Sequence, residues 1–169
     1  MLIFFEGHDK SGKTTIAKEL VKFLQSCGNN AVYLKDYASY EVIKHNDDFP
    51  YCSYLSLLGS LFFEHLDPNK FIIFDRYVLS DMVYSKVFNR RTDDSINQRV
   101  LDTIKKAGGM HVICYKTNEL QKDEIFSKQD QIRDEYLKIK DTNILHLDTT
   151  SENLDDELNS ILMKMNELS

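Results

Sequence analysis

Glycine and proline are scarce in this chain, six and two among 169 residues. Nowhere do they gather with serine into a linker, and no segment repeats, so one domain spanning residues 1–169 is expected. No apolar run reaches the length that crosses a bilayer, so no membrane association is expected. The charged stretch that opens a secretory signal is missing too, because Leu2 leads straight into a strand-like run. Cys27, Cys52 and Cys114 are the three cysteines, and none has C-x-x-C spacing. They read as reduced thiols in a cytoplasmic protein. His8, His45, His65, His111 and His146 lie too far apart to form a structural zinc site. Positive charge is in deficit, with 21 Lys and Arg against 27 Asp and Glu, a net charge of −6. That balance argues against nucleic-acid binding through a broad basic face but leaves room for a local basic pocket.

What is present is an ordinary globular composition, 42% hydrophobic, in a chain long enough to bury a core. Short apolar runs alternate with helix-period segments. Leu2–Glu6, Ala31–Lys35, Phe71–Phe74, His111–Tyr115 and Asn143–Leu147 read as strands. Helical faces follow: Ile16, Leu20, Val21 and Leu24, closed by Cys27-Gly28; then Tyr54–Leu66, ended at Asp67-Pro68-Asn69. Further helices are expected over Asp81–Phe88, Ser95–Ala107 and Asp130–Lys140. A last one carries Leu154, Leu158, Ile161, Leu162 and Met165, capped by Thr149 or Ser151. Residues 36–50 read as a polar loop. Strands alternating with helices imply a parallel α/β sheet.

The stretch FFEGHDKSGKTT, Phe4 to Thr15, holds the densest information. Gly7, His8, Asp9, Lys10, Ser11, Gly12, Lys13 and Thr14 fit G-x-x-x-x-G-K-[ST], the phosphate-binding P-loop. A chance match in a chain of this length has a probability of about 0.6%. Its placement between a strand and an amphipathic helix lowers that further. The glycines let the backbone wrap so that successive N–H groups face one cavity, which the N-terminal end of the helix also faces. Lys13 reaches the β and γ phosphates of a bound nucleotide, expected to be ATP, and the Thr14 hydroxyl is suited to Mg²⁺. Thr15 extends the nucleotide-binding run.

A second signal is FIIFDRYVLSDMVYS. It delivers Asp75 and Arg76 to the sheet edge where open α/β sheets bind ligands. Asp75 is suited to hold Mg²⁺ through water, and Arg76 to bridge phosphoryl donor and acceptor. The alternative is a plain ion pair at a strand end.

These stretches, with LLGSLFFEHL, resemble the thymidylate kinase family of nucleoside monophosphate kinases, especially its compact phage and prophage forms. The resemblance implies a three-layer P-loop kinase fold, with a five-stranded parallel sheet in the order 2-3-1-4-5 flanked by helices. It implies transfer of the ATP γ-phosphoryl group to a nucleoside monophosphate, dTMP above others. Lys13, Arg76 and Asp9 would be catalytic, and Thr14 and Asp75 would hold Mg²⁺. Asp9, Lys35, Phe62, Phe63, Arg76, Ser80 and Tyr84 would bind the acceptor. In that set Phe62 or Phe63 stacks on the base, Tyr84 lies against the sugar and Ser80 near the base edge. Either phenylalanine is equally readable as core, and Ser80 as a helix cap. A homodimer is also implied.

The chain departs from the family pattern in its charges. Lys35 and His65 stand where arginines are usual, and the lid region, about 116–131, is poor in arginine. Arg133, Arg90 and Arg91 are the candidates to replace it, Arg133 being equally readable as a surface ion pair. Three other functions stand beside this one, of which a kinase acting on a modified base, within DNA or free, is disfavoured by the acidic charge and small size. A deoxynucleoside kinase would use a general base, for which Glu6 is placed, and a non-catalytic ATP-binding regulator would need none.

Overall fold

The computed structural model describes residues 1–35, 51–67, 69–117 and 128–168. The apolar run at the start forms β1 (Leu2–Gly7), buried along its whole length. Side chains alternate across a strand, so Ile3 and Phe5 enter one core while Leu2 and Phe4 enter the other. A strand buried on both faces belongs in the middle of a parallel sheet, and β1 lies there. With β2 (Asn30–Lys35), β3 (Lys70–Asp75), β4 (Met110–Tyr115) and β5 (Ile144–Asp148) it builds a sheet ordered β2-β3-β1-β4-β5. Every pairing is parallel.

Parallel neighbours need crossover connections. The described helices are α1 (Lys13–Ser26), α2 (Tyr51–Ser60), α3 (Val78–Val87), α4 (Asp94–Lys106), α5 (Gln129–Lys138) and α6 (Leu154–Leu168). On one face, Ile16, Leu20 and Leu24 of α1 and Ile161 and Met165 of α6 pack on Ile3, Phe5, Ile73 and Val112. On the other, Val78 of α3 and Val100 and Ile104 of α4 cover Leu2, Phe4 and Ile72. Beside them Ile132 and Tyr136 of α5 meet Leu79, Val83 and Ile113. The result is the P-loop kinase α/β architecture.

Under the second face sits an aromatic cluster. The Phe4 ring stacks on Phe74 at 4.8 Å between centroids, with Tyr77 at 5.2 Å, His111 at 5.1 Å and Phe63 at 5.7 Å. Such pairs contribute about 0.5–1.5 kcal/mol each beyond the area they bury. Phe63 enters this cluster because α2 stops at Ser60 and a short 3₁₀ turn, Phe63–His65, carries the chain inward, where one helix over Tyr54–Leu66 was expected.

Two caps differ from expectation. α3 starts at Val78, so Ser80 lies inside it and does not cap it. The buried Glu6 carboxylate of β1 takes that role, accepting the Tyr77 N–H at 3.0 Å. α6 starts at Leu154, and Asn153 stands in the cap position with its carbonyl accepting from the Glu157 N–H. Thr149 is drawn away from the helix, its hydroxyl donating to the Ser11 and Tyr115 carbonyls at 2.8 and 3.0 Å. The expected loop over residues 36–50 lies outside the described residues, as do residues 118–127 of the expected lid.

Candidate active site

The strand ends converge. Gly7 pairs with Cys114, and Asp75 stands in register with both Phe5 and Lys35. Gly7 has φ +138°, and a Cβ there would sit 2.1 Å from the Cys114 carbonyl oxygen, so the turn out of β1 requires glycine. Gly12, at φ +79°, precedes α1 in a left-handed conformation. Its carbonyl accepts from the N–H groups of Thr15 and Ile16 at 3.0 and 3.1 Å. Lys10 also has a positive φ, 62°. The chain from Gly7 to Lys13 thus curls over the N-terminal end of α1.

His8 ties the curl to β4. Its Nε2 accepts the Lys116 N–H at 3.0 Å, which leaves Nδ1 to donate to the Asp9 carbonyl at 2.8 Å. Burial above all lowers its pKa, so the ring is neutral. The Lys13 side chain is buried, with Nζ donating to the His8 carbonyl at 2.9 Å. Burial first, and then the Arg76 charge, push its pKa down to about 8 against the pull of Asp9 and Asp75. That is a cation short of anionic partners.

Asp75 is almost fully buried. One oxygen, Oδ2, accepts from the Thr14 hydroxyl at 2.5 Å and from Tyr33 at 2.7 Å. A carboxylate and a hydroxyl beside a phosphate loop suit Mg²⁺, which keeps several waters and needs few protein ligands. Among the described residues no cluster of three or more His, Cys, Asp or Glu is placed to hold a metal. Lys35 ends β2 beside Asp75, exposed.

Arg76 is the centre of the other half. It has φ +72°, rare for a residue with a Cβ and costing about 1–3 kcal/mol. Its N–H donates to the Phe5 carbonyl at 2.8 Å. The guanidinium pairs with Asp9, donates to Tyr84 Oη at 3.1 Å and Ser80 Oγ at 3.3 Å, and lies 4.9 Å from the Tyr84 ring centre. Tyr84 in turn donates to Asp9 at 3.3 Å, and burial pushes its pKa up to about 12 despite Arg76. Beneath, Ser80 donates to Glu6 and stands 2.8 Å from the Tyr136 hydroxyl. Asp9, Arg76, Ser80 and Tyr84 therefore come together, with Asp9 joining them to the P-loop.

The aromatic candidates separate. Phe62 is 66% exposed, whereas Phe63 is 6% exposed with its ring in the core, so Phe63 presents no face to a ligand. Arg133 pairs with Asp130 and Asp134 at 3.0 and 3.4 Å, the surface ion-pair alternative. Arg90 lies 5.0 Å and Lys128 4.7 Å from the Phe88 ring centre. Four contributors were not picked out from the sequence: Tyr33, Tyr136, Thr149 and Gln129. Gln129 is 5% exposed, approaches the His8 ring, and makes no hydrogen bond of good geometry among the described residues. Nothing in sequence spacing marks these four, since each acts across the fold.

No protein-family model matches this sequence, and no curated protein sequence matches it. Solved structures do share its fold. The chain is similar to a thymidylate kinase from Candida albicans (21% identity, TM-score 0.58, covering 99% of this chain and 92% of that one). It is similar also to a thymidylate kinase from Ehrlichia chaffeensis (19%, 0.62, 98% and 98%). A third is the YorR protein from Bacillus subtilis, solved in complex with phosphorylated GDP (19%, 0.65, 96% and 94%). The fold is that of the P-loop kinases. Two of these three structures are thymidylate kinases, so the fold is one that thymidylate kinases share.

Proposed function

We propose that this protein is an ATP-dependent nucleoside monophosphate kinase acting on a pyrimidine deoxynucleotide, dTMP first. The observation that carries the reading is the ion pair between Asp9 and Arg76, which sets a buttressed guanidinium against the P-loop. Phosphoryl transfer between two polyanions asks a protein for alignment, charge and dryness more than for covalent chemistry. The loop amides and Lys13 hold the donor phosphates. Thr14 and Asp75 would hold Mg²⁺, which would offset the charge of the donor phosphates when bound. Arg76 binds the acceptor phosphate, helped by Lys35, in register with Asp75, and by Lys10, next to the Asp9 that pairs with Arg76. Asp9 orients Arg76 and, with Tyr84, bounds the sugar. Phe62 offers a ring to the base.

The nucleoside kinase alternative draws on Glu6. That carboxylate is fully buried and accepts from Tyr77 and Ser80. Those bonds tie it to the start of α3 and to Ser80, which accepts from Arg76. The expected homodimer is supported by the exposed side chains of Leu55, Leu58 and Leu61, and sedimentation velocity tests it.

The kinase reading is tested by incubating the protein with Mg-ATP and a panel of nucleosides and monophosphates, then identifying products by mass. dTDP from dTMP is the expected product. A monophosphate made from thymidine would replace this reading with the alternative, and no product at all would favour a non-catalytic regulator.

A further inference from the structure

The two oxygens of the Asp75 carboxylate are bonded unequally. Both hydrogen bonds fall on Oδ2, from the Thr14 hydroxyl at 2.5 Å and the Tyr33 phenol at 2.7 Å. Oδ1 accepts no hydrogen bond among the described residues, yet it is not sealed from solvent. A buried carboxylate thus has one oxygen tied down and the other open to the site.

Half of that tie comes from the neighbouring strand. Tyr33 of β2 stands in register with Ile73, and Lys35 with Asp75. Side chains alternate along a strand, so Tyr33 shares a face with Asp75 but starts two residues short of it, about 6.6 Å of strand rise. Its ring packs on the α1 core, with Lys18 Nζ at 5.5 Å from the ring centre. An aliphatic side chain would serve that packing. The phenol adds a hydrogen-bond donor at the end of a long arm, and the donor lands on Oδ2. Lys13 meanwhile feels the Asp75 charge, yet its Nζ donates to the His8 carbonyl at 2.9 Å.

We propose that Tyr33 is a positioning residue for the divalent cation of the phosphoryl donor: its hydroxyl holds Oδ2 and leaves Oδ1 as the oxygen that Asp75 offers to a metal-bound water. Mg²⁺ keeps several of its waters, so one fixed carboxylate oxygen is a suitable outer partner. Groups that orient a metal-binding side chain tune metal affinity without touching the metal. A carboxylate free to turn would meet the Lys13 ammonium, and neither group would then be open to the ligand. This inference rests on the kinase reading of the P-loop and adds to it a residue that acts through Asp75.

The test is calorimetric binding of ATP in excess Mg²⁺ and in EDTA, with the ratio of the two affinities as the readout. Mn²⁺ titrated into the ATP complex and followed by paramagnetic resonance reads the cation affinity directly. Neither needs an acceptor or turnover. Tyr33→Phe removes one oxygen and keeps the ring. It should lower the Mg²⁺ enhancement and the Mn²⁺ affinity by about tenfold or more, with ATP binding in EDTA within about threefold of wild type. Asp75→Asn should do the same, and adding Tyr33→Phe to it should cost less than about threefold more, because the two residues act as one unit. An unchanged enhancement in Tyr33→Phe overturns the inference, as does an equal loss with and without metal, the result of a purely structural role. A full Tyr33→Phe effect in the Asp75→Asn background overturns it by placing the action of the phenol elsewhere, and so does a wild type that Mg²⁺ does not enhance. Each of these leaves the kinase reading intact. Failure of the wild type to bind ATP in either condition overturns both.

Discussion

Asp9 of the P-loop and Arg76 at the end of β3, 67 residues apart, form an ion pair whose arginine is 17% exposed. In the proposed function the pair joins the donor half of the site to the acceptor half. Asp9 also accepts from Tyr84, so removing its charge loosens two acceptor-side groups together.

Asp9→Asn should therefore weaken the acceptor more than the donor. The expected result is a rise in acceptor KM or a fall in kcat of about tenfold or more, consistent with loss of a charge-assisted bond, with ATP binding within about threefold of wild type. Steady-state kinetics with each substrate varied in turn separates the two. A loss confined to ATP binding would place Asp9 at the donor instead.

Lys13 supplies a pH signature. Its pKa in the protein is about 8 against 10.5 for an ordinary lysine, chiefly through burial. A polyphosphate held against it favours the charged form and raises that value. Between about pH 8 and 10.5, then, nucleotide binding takes up a proton, and affinity falls as pH rises through 8. Calorimetry at pH 8.5 in two buffers of different ionisation enthalpy should read uptake of a fraction of a proton, lost in Lys13→Met. No uptake in the wild type contradicts the contact.

Glu6 separates the two kinase chemistries. If it supports α3 and Arg76, Glu6→Gln keeps an acceptor for the Tyr77 N–H and leaves turnover within about tenfold. Loss of a general base costs about 10²–10⁴-fold. Turnover of the variant decides between them.

His111 should contribute to loss of stability in acid. It is 1% exposed, stacked on Phe4, with neither ring nitrogen hydrogen-bonded among the described residues, and burial pushes its pKa down to about 3. Between pH 6.5 and 3 the unfolded chain binds a proton that the folded one refuses, so stability falls as pH drops below 6.5. The limit is about 1.4 kcal/mol per pH unit. His111→Leu should flatten this slope in urea melts taken at pH 7 and 5. An unchanged slope would mean other groups cause it.

Much of this was legible in the sequence because its signals are local. The P-loop occupies eight consecutive residues, and β1 and β3 announce themselves by unbroken apolar runs ending at Gly7 and Asp75. What could not be read acts over distance. Glu6 caps α3 from 71 residues away, and Thr149 reaches the Ser11 carbonyl across 138. Phe62 and Phe63 are adjacent and chemically identical, yet a 3₁₀ turn exposes one and buries the other. Ser80 has the chemistry of a cap, but the carboxylate of β1 reached Tyr77 first and freed Ser80 for Arg76 and Tyr136.

The most direct test of the account is Arg76→Ala, with turnover at saturation and ATP binding measured on the same preparation. The proposed function has Arg76 act on charge between donor and acceptor, where an arginine contributes about 10³-fold or more. Turnover should fall by that order with ATP affinity within about threefold of wild type. Weakened ATP binding with turnover preserved at saturation would contradict it.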